Sequence, residues 1–162
     1  MNAFDPKSAE WQKQTEAKIR EAFDLFDKDK TDAVVQEEVG TMMRYLGAYP
    51  TERALVLDII PAMQNDEPTG FVSYARFENK MLELISSRQF EADSSDIMLQ
   101  AFKVLDTEDK GYLTAEVVET ILTTKGTGFR PKELEQFLSV AKDPETGNIY
   151  YEDYIALLTK GM

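Results

Sequence analysis

Apolar residues return every three or four positions along this chain, in segments parted by short polar loops. Lys18–Leu46 sets the pattern. An amphipathic run closes at Phe23 and Phe26, an acidic stretch follows, and a second amphipathic run carries Met42 and Met43. Gly47-Ala48-Tyr49-Pro50 breaks that second helix, and Thr51 is placed to cap the next one. The next helix keeps Leu55, Val56, Ile59, Ile60 and Met63 on one face, with Pro61 expected to disturb its last turn. ARFENKMLELISS then presents Phe77, Met81, Leu84 and Ile85. The second half repeats the scheme. Ser95 caps a helix with Phe102 and Leu105, a helix crosses 114–125, GTGF breaks it, Pro131 opens another, and EDYIALLTK closes the series. The pattern predicts an all-α chain.

Three segments lie outside this rhythm or at its edges. Residues 1–7 read as a short arm in which Asp5-Pro6 offers an N-cap and a first-turn proline. Trp11 either packs back on the first lobe or stands out as an anchor for a partner, and packing removes more apolar area from water. Ser86–Asp96 is polar and rich in small residues. It is either a stretch of continuous helix or a joint, and two serine pairs with Asp93 favour the joint. The expected organisation is an arm and helix start over 1–16, a first lobe over 17–88 and a second over 89–162.

The loops carry the candidate chemistry. Calcium takes six to eight oxygens, and a twelve-residue loop between helices supplies them from positions 1, 3, 5, 7 and 9 and a bidentate Glu at 12, with Gly at 6. Asp27 to Glu38 has this form in part. Positions 1, 3 and 12 are Asp27, Asp29 and Glu38; Thr31 is at 5, the Ala33 carbonyl at 7, and Val35 at 9 has no side-chain oxygen. Asp32 replaces the glycine. This is an EF-hand with an incomplete shell of about five oxygens, either a weak calcium site or an empty one. Loop 2, anchored on Gly70, begins at Asn65 and puts Arg76 at position 12. Loop 3 begins at Asp106 and carries Lys110 at position 5 and Val117 at position 12, the acid having slipped to Glu116. Loop 4 has Lys142 at position 1, Pro144 at 3, Gly147 at 6 and Asp153 at 12. Loops 2, 3 and 4 are expected to hold no calcium, with Arg76, Lys110 and Lys142 as built-in cations relieving the repulsion a metal would otherwise relieve.

Position 8 is apolar in all four loops, as Val34, Val72, Leu113 and Ile149, in a repeat of roughly 36–43 residues. This predicts a short antiparallel bridge in each lobe, Val34 with Val72 and Leu113 with Ile149. Scaffold positions have been kept where metal positions have been lost.

Composition narrows the function classes. The 162 residues include no cysteine and no histidine, which removes disulfides, thiolate sites, thiol catalysis and the commonest general base. Without those groups or a glycine-rich phosphate loop, an enzyme lacks parts, and no small-molecule substrate is expected. A net charge of −12 opposes binding to nucleic acid or anionic membranes and suits a basic partner. ALVLDIIPAM, the most apolar run, is interrupted by Asp58 and Pro61, and MNAFDPKSAEW is unlike a signal peptide. A soluble intracellular protein is expected.

Residues 17–160 resemble the calmodulin superfamily, most closely in VGTMMRYLGAYPTE and AFKVLDTEDKGYLTAE. The particular degeneracies in DEPTGFVSYARF, FKVLDTEDKGYLT and AKDPETGNIYYEDY resemble an EF-hand subunit family of the axonemal nexin–dynein regulatory complex. The resemblance implies two EF-hand pairs, a structural role in the cytoskeleton of motile cilia and flagella, and partners among the other complex subunits. Those partners would engage through amphipathic or IQ-like basic helices. A half-open hand pair offers an apolar groove to such a helix. Candidates to line it are Phe23, Met42, Met43, Met63 and Met81 in the first lobe, and Phe102, Leu122, Phe137 and Leu158 in the second. Ordinary core is the competing reading, and the better one for Phe23. Residues 1–88 carry 11 basic and 16 acidic side chains and residues 89–162 carry 7 and 14, so both lobes can steer onto a basic helix. Two readings of function result: a clamp needing no cofactor, or a calcium sensor working through loop 1.

Overall fold

The computed structural model describes residues 8–160. The chain divides into two units between Ala92 and Asp93. Asp5-Pro6 lies outside the described residues.

In the first unit, α1 (Ala9–Phe26) starts on Ser8, whose hydroxyl accepts from the Trp11 N–H. Trp11 itself is half-buried. Strand β1 (Ala33–Val35) and a 3₁₀ turn (Gln36–Glu38) lead into α2 (Val39–Tyr45). The third helix is built in pieces: α3 (Glu52–Ala54), a π-helical stretch Leu55–Ile59, and α4 (Ile60–Met63). Thr51 caps it, its hydroxyl accepting from the Ala54 N–H over 3.1 Å. Proline has no N–H, and in α geometry the ring of Pro61 would meet the carbonyl of Leu57. The disturbance therefore lies upstream of Pro61 as a widened turn rather than in the last turn. Strand β2 (Phe71–Ser73) and α5 (Tyr74–Ser87) complete the lobe.

The joint is not a continuous helix. Arg88 takes a left-handed conformation (φ 55°) that ends α5, and α6 (Ser95–Leu105) begins only after Ser94. Ser94 caps α6 in place of Ser95, because its extended backbone turns its hydroxyl to the Ile97 N–H. Between them, Phe90 packs on the first core and its carbonyl accepts from the Tyr49 N–H over 2.7 Å. That contact carries the first lobe past the expected boundary at 88.

The second unit continues with β3 (Leu113–Thr114), α7 (Ala115–Thr124), α8 (Pro131–Ala141), β4 (Asn148–Ile149) and α9 (Tyr151–Leu158). In both units the strands pair antiparallel in the expected register, Val34 opposite Val72 and Leu113 opposite Ile149. All four are buried, so each bridge drives one apolar side chain per loop into its core. The fold is all-α apart from these bridges.

The two cores differ in closure. In the first, Ile19, Phe23, Val39, Met42, Met43, Met63, Val72, Phe77 and Met81 are 0–1% exposed. The second core is smaller, formed by Leu113, Val118, Ala141, Ile149 and Tyr151, with Phe102, Leu122, Phe137 and Tyr154 half-buried around it. No residue of α6 is fully buried.

Candidate functional site

Loop 1 is drawn together around Asp27, which sits at the end of α1 and is 5% exposed. Its Oδ1 accepts from the Thr31 N–H over 2.9 Å and from the Thr31 hydroxyl over 3.3 Å, and its Oδ2 accepts from the Asp32 N–H over 2.8 Å. The Thr31 hydroxyl also lies 3.3 Å from the Ala33 carbonyl. Positions 1, 5 and 7 are thus brought together. The donors, the Thr31 N–H first, hold the Asp27 carboxyl below the usual range against the opposing pull of burial. Asp29 is exposed, and Glu38 closes the 3₁₀ turn, half-buried. Among the described residues, no three acidic side chains gather closely enough to hold a metal ion, so Asp27, Asp29 and Glu38 do not form such a group. Calcium would require positions 3 and 12 to join the other three, and the donor types fit a weak site at most.

Position 6 has a positive φ in all four loops, at Asp32 (56°), Gly70 (78°), Gly111 (78°) and Gly147 (74°). Only loop 1 uses a residue with a side chain there. Asp32 is held by Arg20, whose Nη2 is 2.9 Å from Oδ1, whose Nε is 2.9 Å from Asp24 Oδ1, and whose guanidinium lies 4.4 Å from the centre of the Tyr74 ring. Arg20 is therefore a cation built into the first hand.

The built-in cations of the other loops behave differently from one another. Arg76 reaches back across loop 2 and donates to the Gln64 carbonyl over 2.8 Å, satisfying the end of α4. Lys110 does not enter the centre of loop 3. It pairs with Glu108 at position 3, half-exposed, and the pair holds the ammonium above its ordinary range. Lys142 does not neutralise loop 4. It ends α8 with its N–H on the Leu138 carbonyl and its side chain exposed. The next residue, Asp143, organises that loop by accepting from the N–H groups of Glu145 and Thr146 over 2.9 Å each. Its donors stand two and three residues on, against four and five in loops 1 and 3, so the turn is tighter and begins after Lys142.

Loop 3 is closed from the opposite hand. Asp106, 8% exposed, accepts from the Lys110 N–H over 3.0 Å and the Gly111 N–H over 2.8 Å. Its Oδ2 also accepts from the hydroxyl of Tyr151 over 2.8 Å, in a buried contact. Burial pushes the Asp106 carboxyl up, and these donors outweigh it, leaving the group below its ordinary range. The same bond and burial push the Tyr151 phenol up to about 12.

The groove candidates fall into two sets. Phe23, Met42, Met43, Met63 and Met81 lie in the core and not on a groove surface: each is 0–1% exposed, in one buried cluster with Ile19, Val72 and Phe77. In the second lobe the candidates stay reachable. Phe102 stacks on Tyr151 (5.5 Å, 7°) and meets Tyr154 edge-on, and Tyr154 meets Phe137 edge-on at 5.5 Å. Leu122 is half-buried and Leu158 is 45% exposed. In the same lobe Ile97, Val104, Leu105, Val140 and Leu157 are exposed.

No family model matches the chain. Dynein regulatory complex protein 8 of Mus musculus is 38% identical over 141 residues, covering 87% of this chain and 85% of the relative. The chain belongs to the dynein regulatory complex protein 8 family. The Chlamydomonas reinhardtii protein of that name is 32% identical over 144 residues, covering 85% of this chain and 86% of the relative. Among solved structures, the Physarum polycephalum myosin II regulatory domain is similar with a TM-score of 0.71 and 26% identity, covering 90% of this chain and 95% of its own. Within this calmodulin-like family, three residues that sequence reasoning did not single out shape the loops and the cleft. Arg20 stands four before Asp24, a pairing signal on a helix. Tyr151 and Tyr154 stand three apart on α9, a spacing that puts two aromatics on one face.

Proposed function

We propose that this protein is a structural EF-hand subunit of the axonemal nexin–dynein regulatory complex that grips a helical segment of a neighbouring subunit without calcium. The observation that carries the reading is how the loops use their polar groups. Asp106 is bonded by three internal donors, Arg76 is spent on the Gln64 carbonyl, and Lys110 is spent on Glu108. A cation would have to displace bonds already made, which costs more than filling a vacant shell.

The second lobe is the gripping surface. Its half-buried aromatics and exposed Ile97, Val104, Leu105 and Leu157 suit the apolar face of an amphipathic helix. The acidic surroundings, with 14 acidic against 7 basic side chains over residues 89–162, suit a partner basic on its other face. The closed first lobe contributes rigidity. The setting is the axoneme of cilia and flagella, and helping to regulate dynein-driven bending is the role this reading assigns; no catalysis is involved. Capture of the other complex subunits by the tagged chain, in calcium and in chelator, tests it. Equal capture in both is the expected result, and capture that collapses in chelator would overturn it.

A second reading, a calcium sensor acting through loop 1, is favoured by the convergence of Asp27, Thr31 and the Ala33 carbonyl. Under it, Glu38→Gln abolishes a measurable calcium isotherm. An isotherm unchanged by that substitution would remove loop 1 from consideration.

A further inference from the structure

Each lobe has a tyrosine at position 10 of its second loop, Tyr74 when counted from Asn65 and Tyr151 when counted from Lys142. Both tyrosines lie at the start of the helix that follows the loop, and both pack on the phenylalanine in the last turn of the lobe's first helix. Tyr74 meets Phe23 edge-on at 5.2 Å, and Tyr151 stacks on Phe102 at 5.5 Å. The two differ in what the hydroxyl and ring then hold. The ring of Tyr74 carries Arg20, which reaches Asp32 of loop 1, while its hydroxyl donates to Glu78. Tyr151 needs no intermediary. Its hydroxyl donates straight to the position-1 carboxylate of loop 3.

We propose that Tyr151 is the internal occupant of the cation corner of loop 3, taking the place on Asp106 Oδ2 that a metal ion would take and tying the two hands of the second lobe together. Three features of the site support this. The contact joins residues 45 positions apart and is buried, so it is a tertiary tie and not a local turn. Asp106 Oδ1 and Oδ2 are each already engaged by a loop N–H, and the phenol supplies the remaining donor from the opposite hand. The stacking on Phe102 holds the ring with its hydroxyl at the carboxylate, so little rotamer freedom is lost in making the bond. A metal corner filled by a side chain of the same lobe gives a hand pair whose shape is the same whether or not divalent cations are present. This inference concerns the lobe alone and does not depend on the identity of any partner.

Hydrogen exchange on the full-length chain tests it, read at the β3–β4 amides and analysed as a double-mutant cycle. A hydrogen bond to a charged group is worth enough that Tyr151→Phe should lower protection of those amides by about tenfold or more. In an Asp106→Ala background the same substitution should lower it little further. A Tyr151→Phe effect of equal size in both backgrounds would overturn the proposal, as would no effect in the natural background. Should Asp106→Ala loosen the lobe too far to read, the Tyr151 hydroxyl proton of the unaltered chain is the second measurement. Slow exchange and a resolved resonance near neutral pH are expected, and a hydroxyl exchanging as fast as that of free tyrosine would equally overturn it.

Discussion

Arg20 Nη2 lies 2.9 Å from Asp32 Oδ1, and this pair accounts for the one loop that has a side chain at its left-handed sixth position. Aspartate tolerates that conformation better than most residues, though less well than glycine. The carboxylate is kept there because it meets a guanidinium already fixed by Asp24 and by the Tyr74 ring. Both partners are substantially exposed, so solvent screens the pair.

Asp32→Gly therefore trades a screened ion pair for relief of backbone strain, and the change in stability should stay within about 1 kcal/mol. Arg20→Ala removes contacts to Asp24, Asp32 and Tyr74 together and should destabilise the chain more than Asp32→Gly does. Thermal unfolding of the two variants side by side checks the order. A larger loss for Asp32→Gly would mean that the carboxylate has another role.

Met42 and Met81 distinguish a core from a groove. Both are fully buried in the first lobe, and truncating a buried methionine to alanine costs about 2–5 kcal/mol. Met42→Ala or Met81→Ala should lower the denaturant midpoint of the first lobe by a corresponding amount. Variants of unchanged stability that lose partner capture would instead place these residues on a binding face.

Arg76 is expected to matter through the end of a helix rather than through a metal. Arg76→Ala leaves the Gln64 carbonyl without its donor, at a cost of about 1 kcal/mol, and should speed amide exchange in the turn that closes α4. Restoring the usual acid with Arg76→Glu should produce the same loss. Exchange in that turn matching the natural chain would show the bond to be dispensable.

The Tyr151–Asp106 bond should fail at both ends of the pH scale. The folded Asp106 carboxyl titrates below its ordinary 3.8, so its contribution is complete above that value and is lost as pH falls through the lowered folded one. The Tyr151 phenol titrates at about 12 against an ordinary 10.0, so its contribution is complete below 10.0 and is lost as pH rises toward 12. Unfolding followed against pH for the natural chain and Tyr151→Phe should give curves that converge at both extremes and separate between them. A constant separation across the range would show that the bond is not what links the two titrations.

Much of this architecture is legible along the chain. Helical periodicity placed the helices, glycine at the sixth loop position marked three of the four turns, and the apolar eighth positions named both bridge pairs, because burial of a single side chain leaves only one register open to each short strand. Thr51 was readable as a cap, and the interruptions at Arg76, Lys110, Val117 and Lys142 were readable as departures from a metal shell. Other features were decided by contacts between residues far apart in sequence. Phe90 extends the first lobe through its own packing, and Met42, Met43, Met63 and Met81 became core by sharing one buried cluster with Ile19, Phe23, Val72 and Phe77. The local pattern cannot say whether an apolar face meets another helix of its own lobe or is left for a partner, since both satisfy the same spacing. Nor can it say that a tyrosine of the fourth hand will bond the carboxylate of the third. That outcome depends on the stacking of Phe102 against Tyr151, a fit set only when both hands are in place.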